Sequence, residues 1–200
     1  MEITRRDYLR VAAQATVALG ALAVASLVPT GMRAAQIRPP GAVEETYFNV
    51  LCVRCGICLE VCPTKAIVFA GFENGIAGVN TPKIDPLVGP CEFYRGRCEE
   101  SMRCTQHCPT HALQLIEKQQ VKLGVVELSR DNCLAYQGKE CVVCSEMCPV
   151  PEAITVNRDL RPSFHPCKCV GCGTCVNVCP ANPKALTLLP DGARRTQWSG

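Results

Sequence analysis

The sequence predicts an α+β fold of short strands and helices, assembled from four copies of one small unit. Three observations predict it. One phrase recurs four times, as CPTKAI from Cys62, CPTHAL from Cys108, CPVPEAI from Cys148 and CPANPKAL from Cys179. Cysteine fills 17 of 200 positions, a density that marks a cross-linked or metal-built scaffold. Aromatic residues make up only 5% of the chain, so the large apolar side chains that dominate ordinary cores are scarce and something else must sit at the centre.

In chain order, the first element is an address. Arg5 and Arg6 stand in the stretch TRRDYLR, ahead of an apolar, alanine-rich run over residues 11–28. A charged start before an apolar stretch is the pattern of an export signal, and the arginine pair points to the twin-arginine (Tat) route. Gln14 and Thr16 keep the run only mildly apolar, although its length would also just span a bilayer as an uncleaved anchor. The expected organisation is a signal or anchor over residues 1–34, a linker over 35–49, a cluster domain over 50–190 and a tail over 191–200. A periplasmic destination alone favours disulfides. Export of an already folded chain favours metal centres inserted beforehand.

Each repeated unit reads as cysteine loop, helical turn and strand. The proline after the last cysteine suits the first turn of a short helix. The β-prone runs that follow, Ile67–Phe69, residues 113–116, Ile154–Val156 and Leu186–Leu189, read as strands. Glycine, proline and polar stretches over residues 71–90 and 157–166 read as separators. Gly56, Gly171 and Gly173 would let the cysteine loops take positive φ or a close backbone approach.

The cysteines upstream of each Cys-Pro carry the chemistry. Unit one is Cys52, Cys55, Cys58 and Cys62, and unit four is Cys169, Cys172, Cys175 and Cys179, both spaced C-x2-C-x2-C-x3-C-P. This is the bacterial ferredoxin run, in which three cysteines hold one [4Fe–4S] cube and the fourth ligates a different one. Unit three, Cys133, Cys141, Cys144 and Cys148, lengthens the first gap. Unit two, Cys91, Cys98, Cys104 and Cys108, keeps only the last gap and the proline, which leaves a [3Fe–4S] cluster open there. Starting the fourth run at Cys167 breaks the spacing, so Cys167 is the surplus thiol.

Structural zinc needs paired cysteines but neither the third close cysteine nor the Cys-Pro. Disulfides would make two perfect ferredoxin runs a coincidence, and the absence of C-x-x-C-H excludes c-type haem. His107, His111 and His165 lie near cysteines, with surface or core placement the default. Arg54 and Lys65 flank the first run, where solvated charge is the default and tuning of a potential the alternative. A formal charge of +3 without a basic block argues against nucleic acid as a partner. No nucleophile with a base and no glycine-rich phosphate loop is visible, so the chain reads as an electron carrier rather than an enzyme.

At this level the chain resembles the NapG/MauM family of ferredoxin-type proteins. The likeness runs from residue 4 to about residue 189, through the twin-arginine signal, IRPPGA from Ile37, CVRCGIC from Cys52, Pro90-Cys91, NCLAYQGKECVVC from Asn132 and CPVPEAI from Cys148. The second unit departs from the family's tighter cysteine run. The resemblance implies four [4Fe–4S] clusters in a tandem or nested double ferredoxin. In the nested form, one cluster takes Cys52, Cys55, Cys58 and Cys179, and its neighbour Cys169, Cys172, Cys175 and Cys62. The other two take Cys91, Cys98, Cys104 with Cys148, and Cys133, Cys141, Cys144 with Cys108.

The resemblance also implies a periplasmic function, reached by the Tat translocase. Electrons would pass from a membrane quinol-oxidising ferredoxin-type protein to a periplasmic nitrate reductase or methylamine dehydrogenase system. The alternatives are an electron donor for maturation of the partner enzyme, and a bound subunit of a molybdenum oxidoreductase or hydrogenase.

Overall fold

The computed structural model describes residues 36–72, 75–98 and 102–198, so the export signal expected over residues 1–34 lies outside the described residues. Among the described residues no helix is long and apolar enough to cross a membrane.

Two halves repeat one plan. In the first, an extended start leads into helix α1 (Glu45–Leu51) and the one-turn helix α2 (Ile57–Glu60). A hairpin of β1 (Ile67–Phe69) and β2 (Pro82–Ile84) follows, with Ile67 opposite Ile84. The one-turn helix α3 (Arg103–Gln106) comes next, and Leu113 then returns to bridge Ala42 antiparallel. In the second half, β3 (Val125–Leu128) takes the place of the extended start, and the one-turn helix α4 (Val143–Glu146) follows. Strands β4 (Ile154–Val156) and β5 (Pro162–Phe164) form the hairpin. Helix α5 (Thr174–Val178) leads to β6 (Leu186–Leu189), which pairs antiparallel with β3. In both halves the last segment therefore closes on the first.

The four cysteine loops share one backbone solution. Cys58, Cys104, Cys144 and Cys175 each sit second in a one-turn helix. The next cysteine then closes the loop, with Cys62, Cys108, Cys148 and Cys179 donating their N–H to Leu59, Thr105, Ser145 and Val176 at 3.3–3.5 Å. The helical turn thus precedes the Cys-Pro, whereas the sequence reading places it after. Beyond the proline the chain turns instead. Lys65 (φ +54°) donates to the Cys62 carbonyl and His111 (φ +55°) to the Cys108 carbonyl. A left-handed residue cannot continue a helix, and it sends the chain on into the next extended segment. Gly56 and Gly173 cap α2 and α5 at φ +79° and +78°, as the sequence reading anticipates for these loops.

Two strands, β2 and β5, lie in stretches that read as separators. Each starts with a proline, Pro82 opposite Phe69 and Pro162 opposite Val156. Proline cannot donate to a ladder, but a two-stranded hairpin has only edges and tolerates it. Of residues 113–116, only Leu113 pairs.

The core forms two clusters, one per half, and Ile37 packs against both. Residues 36 and 38–43, placed in a linker by the sequence reading, are buried. Arg38 is the reason: its fully buried guanidinium donates to Thr81 Oγ1 (2.7 Å) and the Pro82 carbonyl (2.8 Å), and it pairs with Glu45. Its Cζ lies 4.4 Å from the centre of the Phe48 ring. The tail closes over this segment, with Thr196 N–H donating to Ala42 (3.0 Å) and Glu44 N–H to Thr196 (3.2 Å).

The halves meet backbone to backbone. Leu123 N–H donates to Val170 (2.8 Å) and Cys91 N–H to Cys172 (2.8 Å). Gly171, at φ +72°, lies so near Gly124 that a Cβ there would be 2.5 Å from the Gly124 nitrogen. The close approach expected of this glycine is therefore made against the segment that joins the halves.

Candidate metal centres

Four cavities, of about 380, 350, 360 and 320 Å³ counting their open mouths, each have four cysteines in their walls. The first site has Cys52, Cys55, Cys58 and Cys108. The second has Cys62, Cys91, Cys98 and Cys104. The third has Cys133, Cys141, Cys144 and Cys179, and the fourth Cys148, Cys169, Cys172 and Cys175. All sixteen cysteines singled out from the sequence therefore line a cavity, Cys98 of the irregular second unit included. Cys167 is exposed and lines none of them.

The nested pairing is corrected. Each run is completed by the last cysteine of its neighbour in the same half: Cys108 rather than Cys179 joins the first run, and Cys62 rather than Cys148 the second. Cys179 joins the third, and Cys148 the fourth. The cause is strand pairing. The Ala42–Leu113 bridge brings the second loop's exit back beside the first loop, where Leu113 N–H points at Cys108 Sγ (3.4 Å). In the second half the β3–β6 pairing does the same for Cys179. Every cavity is walled by its own half alone.

Burial and crowding of like groups set the thiol chemistry. Burial, then Cys52, Cys108 and Cys55, pushes the Cys58 thiol up to about 12. Burial, then Cys133 and Cys141, pushes Cys144 up to about 11. Cys91, Cys104, Cys172 and Cys175 are raised as well, by burial first. Thiols so reluctant to ionise need strong positive charge to hold them as thiolates, which metal supplies.

The donor set fits a polynuclear centre. Among the described residues no group of three or more His, Cys, Asp or Glu could hold a single metal ion, and none forms a disulfide. The four-cysteine walls instead surround a space with an apolar lining, as Phe48, Phe69 and Leu113 provide at the first site. None of the three histidines lines a cavity. The His107 ring is satisfied by the Arg103 carbonyl (2.9 Å) and the His165 ring by the Thr155 hydroxyl (2.9 Å). Arg54 lines the first cavity but donates to the Val79, Ala77 and Cys52 carbonyls, while Lys65 pairs with Glu60.

The sequence reading missed the threonines two residues past several cysteines. Thr174 Oγ1 lies 3.4 Å from Cys172 Sγ and Thr110 Oγ1 3.8 Å from Cys108 Sγ, whereas Thr64 Oγ1, 3.6 Å from Cys62 Sγ, gives its proton to the Pro90 carbonyl (2.7 Å). The repeated Cys-Pro-Thr of the first two units was the available signal. Donors to sulfur tune cluster potentials.

Comparison with known proteins finds iron–sulfur binding models on both halves. Residues 51–112, both loops of the first half, match the family model "4Fe-4S dicluster domain", and residues 169–182 match "4Fe-4S binding domain". The chain is 34% identical to the methylamine utilization ferredoxin-type protein MauM of Paracoccus denitrificans, over 94% of this chain and 88% of that one. It is 35% identical to the ferredoxin-type protein NapG of Escherichia coli, over 93% and 85%. It is 28% identical to the ferredoxin-type protein NapF of the same organism, over 73% and 81%.

Proposed function

The chain belongs to the NapG/MauM family of ferredoxin-type proteins, and on that premise we propose that it is a one-electron carrier holding four [4Fe–4S] clusters. The observation that carries the proposal is the fourfold cavity, four cysteines to each and each closed within its half. The sixteen lining cysteines are the proposed ligands, and Cys167 is not one. When bound, such clusters supply one-electron exchange without making or breaking substrate bonds.

The chain's own residues do three things. The cysteines provide thiolate corners from two loops per site, so each cluster staples a half together. The apolar walls, Phe48 and Leu113 at the first site and Val126 and Ile154 at the fourth, exclude water. Backbone and hydroxyl donors such as Leu113 N–H and Thr174 Oγ1 face the sulfurs and bias the potential.

The proposed setting is the periplasm, reached folded through the Tat translocase, with the signal cleaved or kept as an anchor. The proposed donor is a membrane quinol-oxidising ferredoxin-type protein. The proposed acceptor is a periplasmic nitrate reductase or methylamine dehydrogenase system. The test is anaerobic mixing of holoprotein with membranes and quinol while the visible cluster absorbance is followed. Bleaching on quinol addition, reversed by the oxidised acceptor enzyme, is the expected result. No bleaching, together with an acceptor lacking its cofactor in a deletion strain, would move the role to enzyme maturation.

A further inference from the structure

Within the first half both loops contribute to both sites, Cys58 and Cys62 leaving one loop for different cavities, as do Cys104 and Cys108. The first and second sites are therefore neighbours, and the third and fourth are neighbours by the same construction. Between the halves, one ligand position meets another directly. Cys91 of the second site donates its N–H to the carbonyl of Cys172 of the fourth (2.8 Å). Cys172 is also the one second-half cysteine packed into the first-half core. Arg95, four residues after Cys91 at the end of the turn that follows it, donates to the Met147 carbonyl beside Cys148 of the fourth site. At the first site no lining cysteine is fully buried and Cys55 is exposed.

We infer that the sites form one unbranched series, first–second–fourth–third, joined between the halves at the Cys91–Cys172 hydrogen bond. The terminal positions belong to the first and third cysteine runs, and electrons crossing the protein pass the junction. This rests on the proposal that the cavities hold clusters, and the iron content of each variant reports on that premise separately.

The experiment is EPR of the fully reduced full-length holoprotein and of variants that each delete one site through two of its ligands. Cys148→Ala/Cys169→Ala removes the fourth site, which strands the third. About three quarters of the iron should remain, and about one third of the reduced spins should relax as isolated centres, without splitting. Cys62→Ala/Cys98→Ala removes the second site and strands the first, with the same signature. Cys52→Ala/Cys55→Ala removes a terminal site, so its remaining spins should all stay coupled. An isolated fraction in the last variant, or none in the first two at three-quarters iron, overturns the order. If the internal variants fail to load iron, hydrogen exchange of the wild-type holoprotein decides the junction. The Cys91 amide should then be strongly protected, and exchange at loop rates would overturn it. A wild-type protein without iron would instead defeat the cluster proposal itself.

Discussion

Replacing Gly171 by alanine should loosen the contact between the halves by a calculable amount. The new Cβ would lie 2.5 Å from the Gly124 nitrogen, 2.7 Å from its oxygen and 2.9 Å from its carbonyl carbon. All three are backbone atoms, so no rotamer change relieves the overlap. Overpacking of this kind costs about 1–3 kcal/mol, and holding alanine at φ +72° adds about 1–2 kcal/mol. Gly138→Ala is the control, because Gly138 has φ +81° with nothing within 4 Å; it should lose only the about 1–2 kcal/mol of the backbone conformation. The assay is anaerobic urea unfolding followed by loss of cluster absorbance. The Gly171 variant's midpoint should fall below the Gly138 variant's by roughly 0.5–1.5 M, for an m of about 2 kcal/mol/M. Equal midpoints would refute the reasoning, because the Gly124 contact would then contribute nothing.

Iron analysis of paired substitutions checks the half-by-half ligand sets. Cys55→Ser/Cys108→Ser strikes one site and should remove about a quarter of the iron, whereas Cys55→Ser/Cys179→Ser strikes two and should remove about half; a nested pairing reverses the two results. Cys167→Ser should leave iron unchanged, since its side chain lines no cavity, and Cys169→Ser should lose a cluster. Thr174→Val removes the hydroxyl 3.4 Å from Cys172 Sγ. Redox titration should then show one cluster shifted to lower potential at unchanged iron, because the donor favours the more negative reduced state. Glu45→Gln should cost about 1–2 kcal/mol, discounted because Glu45 is half exposed. Arg38→Met should cost more, about 2–4 kcal/mol, by leaving Thr81 and the Pro82 carbonyl without their buried donor. Both would be read as urea midpoints.

Local chemistry was legible and long-range pairing was not. The C-x2-C-x2-C-x3-C-P spacing starts the fourth run at Cys169, and Cys169 lines one of the four cysteine-walled cavities while Cys167 lines none of them. Strands β1, β4 and β6 fall where the apolar runs after Cys-Pro place them. Cys108 and Cys179, by contrast, open near-identical phrases. Only the Ala42–Leu113 bridge and the β3–β6 ladder decide which loop each completes, and such pairings leave no mark on spacing. Pro82 and Pro162 hid β2 and β5, because proline argues against a strand unless the strand is an edge. Arg38 reads as a linker charge until Thr81, Pro82, Glu45 and Phe48 are seen to enclose it. Its partners lie 43 and 44 residues away in sequence in two of those cases, beyond the reach of any local pattern.

The most direct measurement is the iron and acid-labile sulfide content of the anaerobically purified protein, joined to an EPR redox titration. Four clusters in four cysteine-walled sites predict about 16 iron and about 16 sulfide per chain, with S = 1/2 signals appearing on reduction. About two to four zinc per chain with no sulfide would contradict the account.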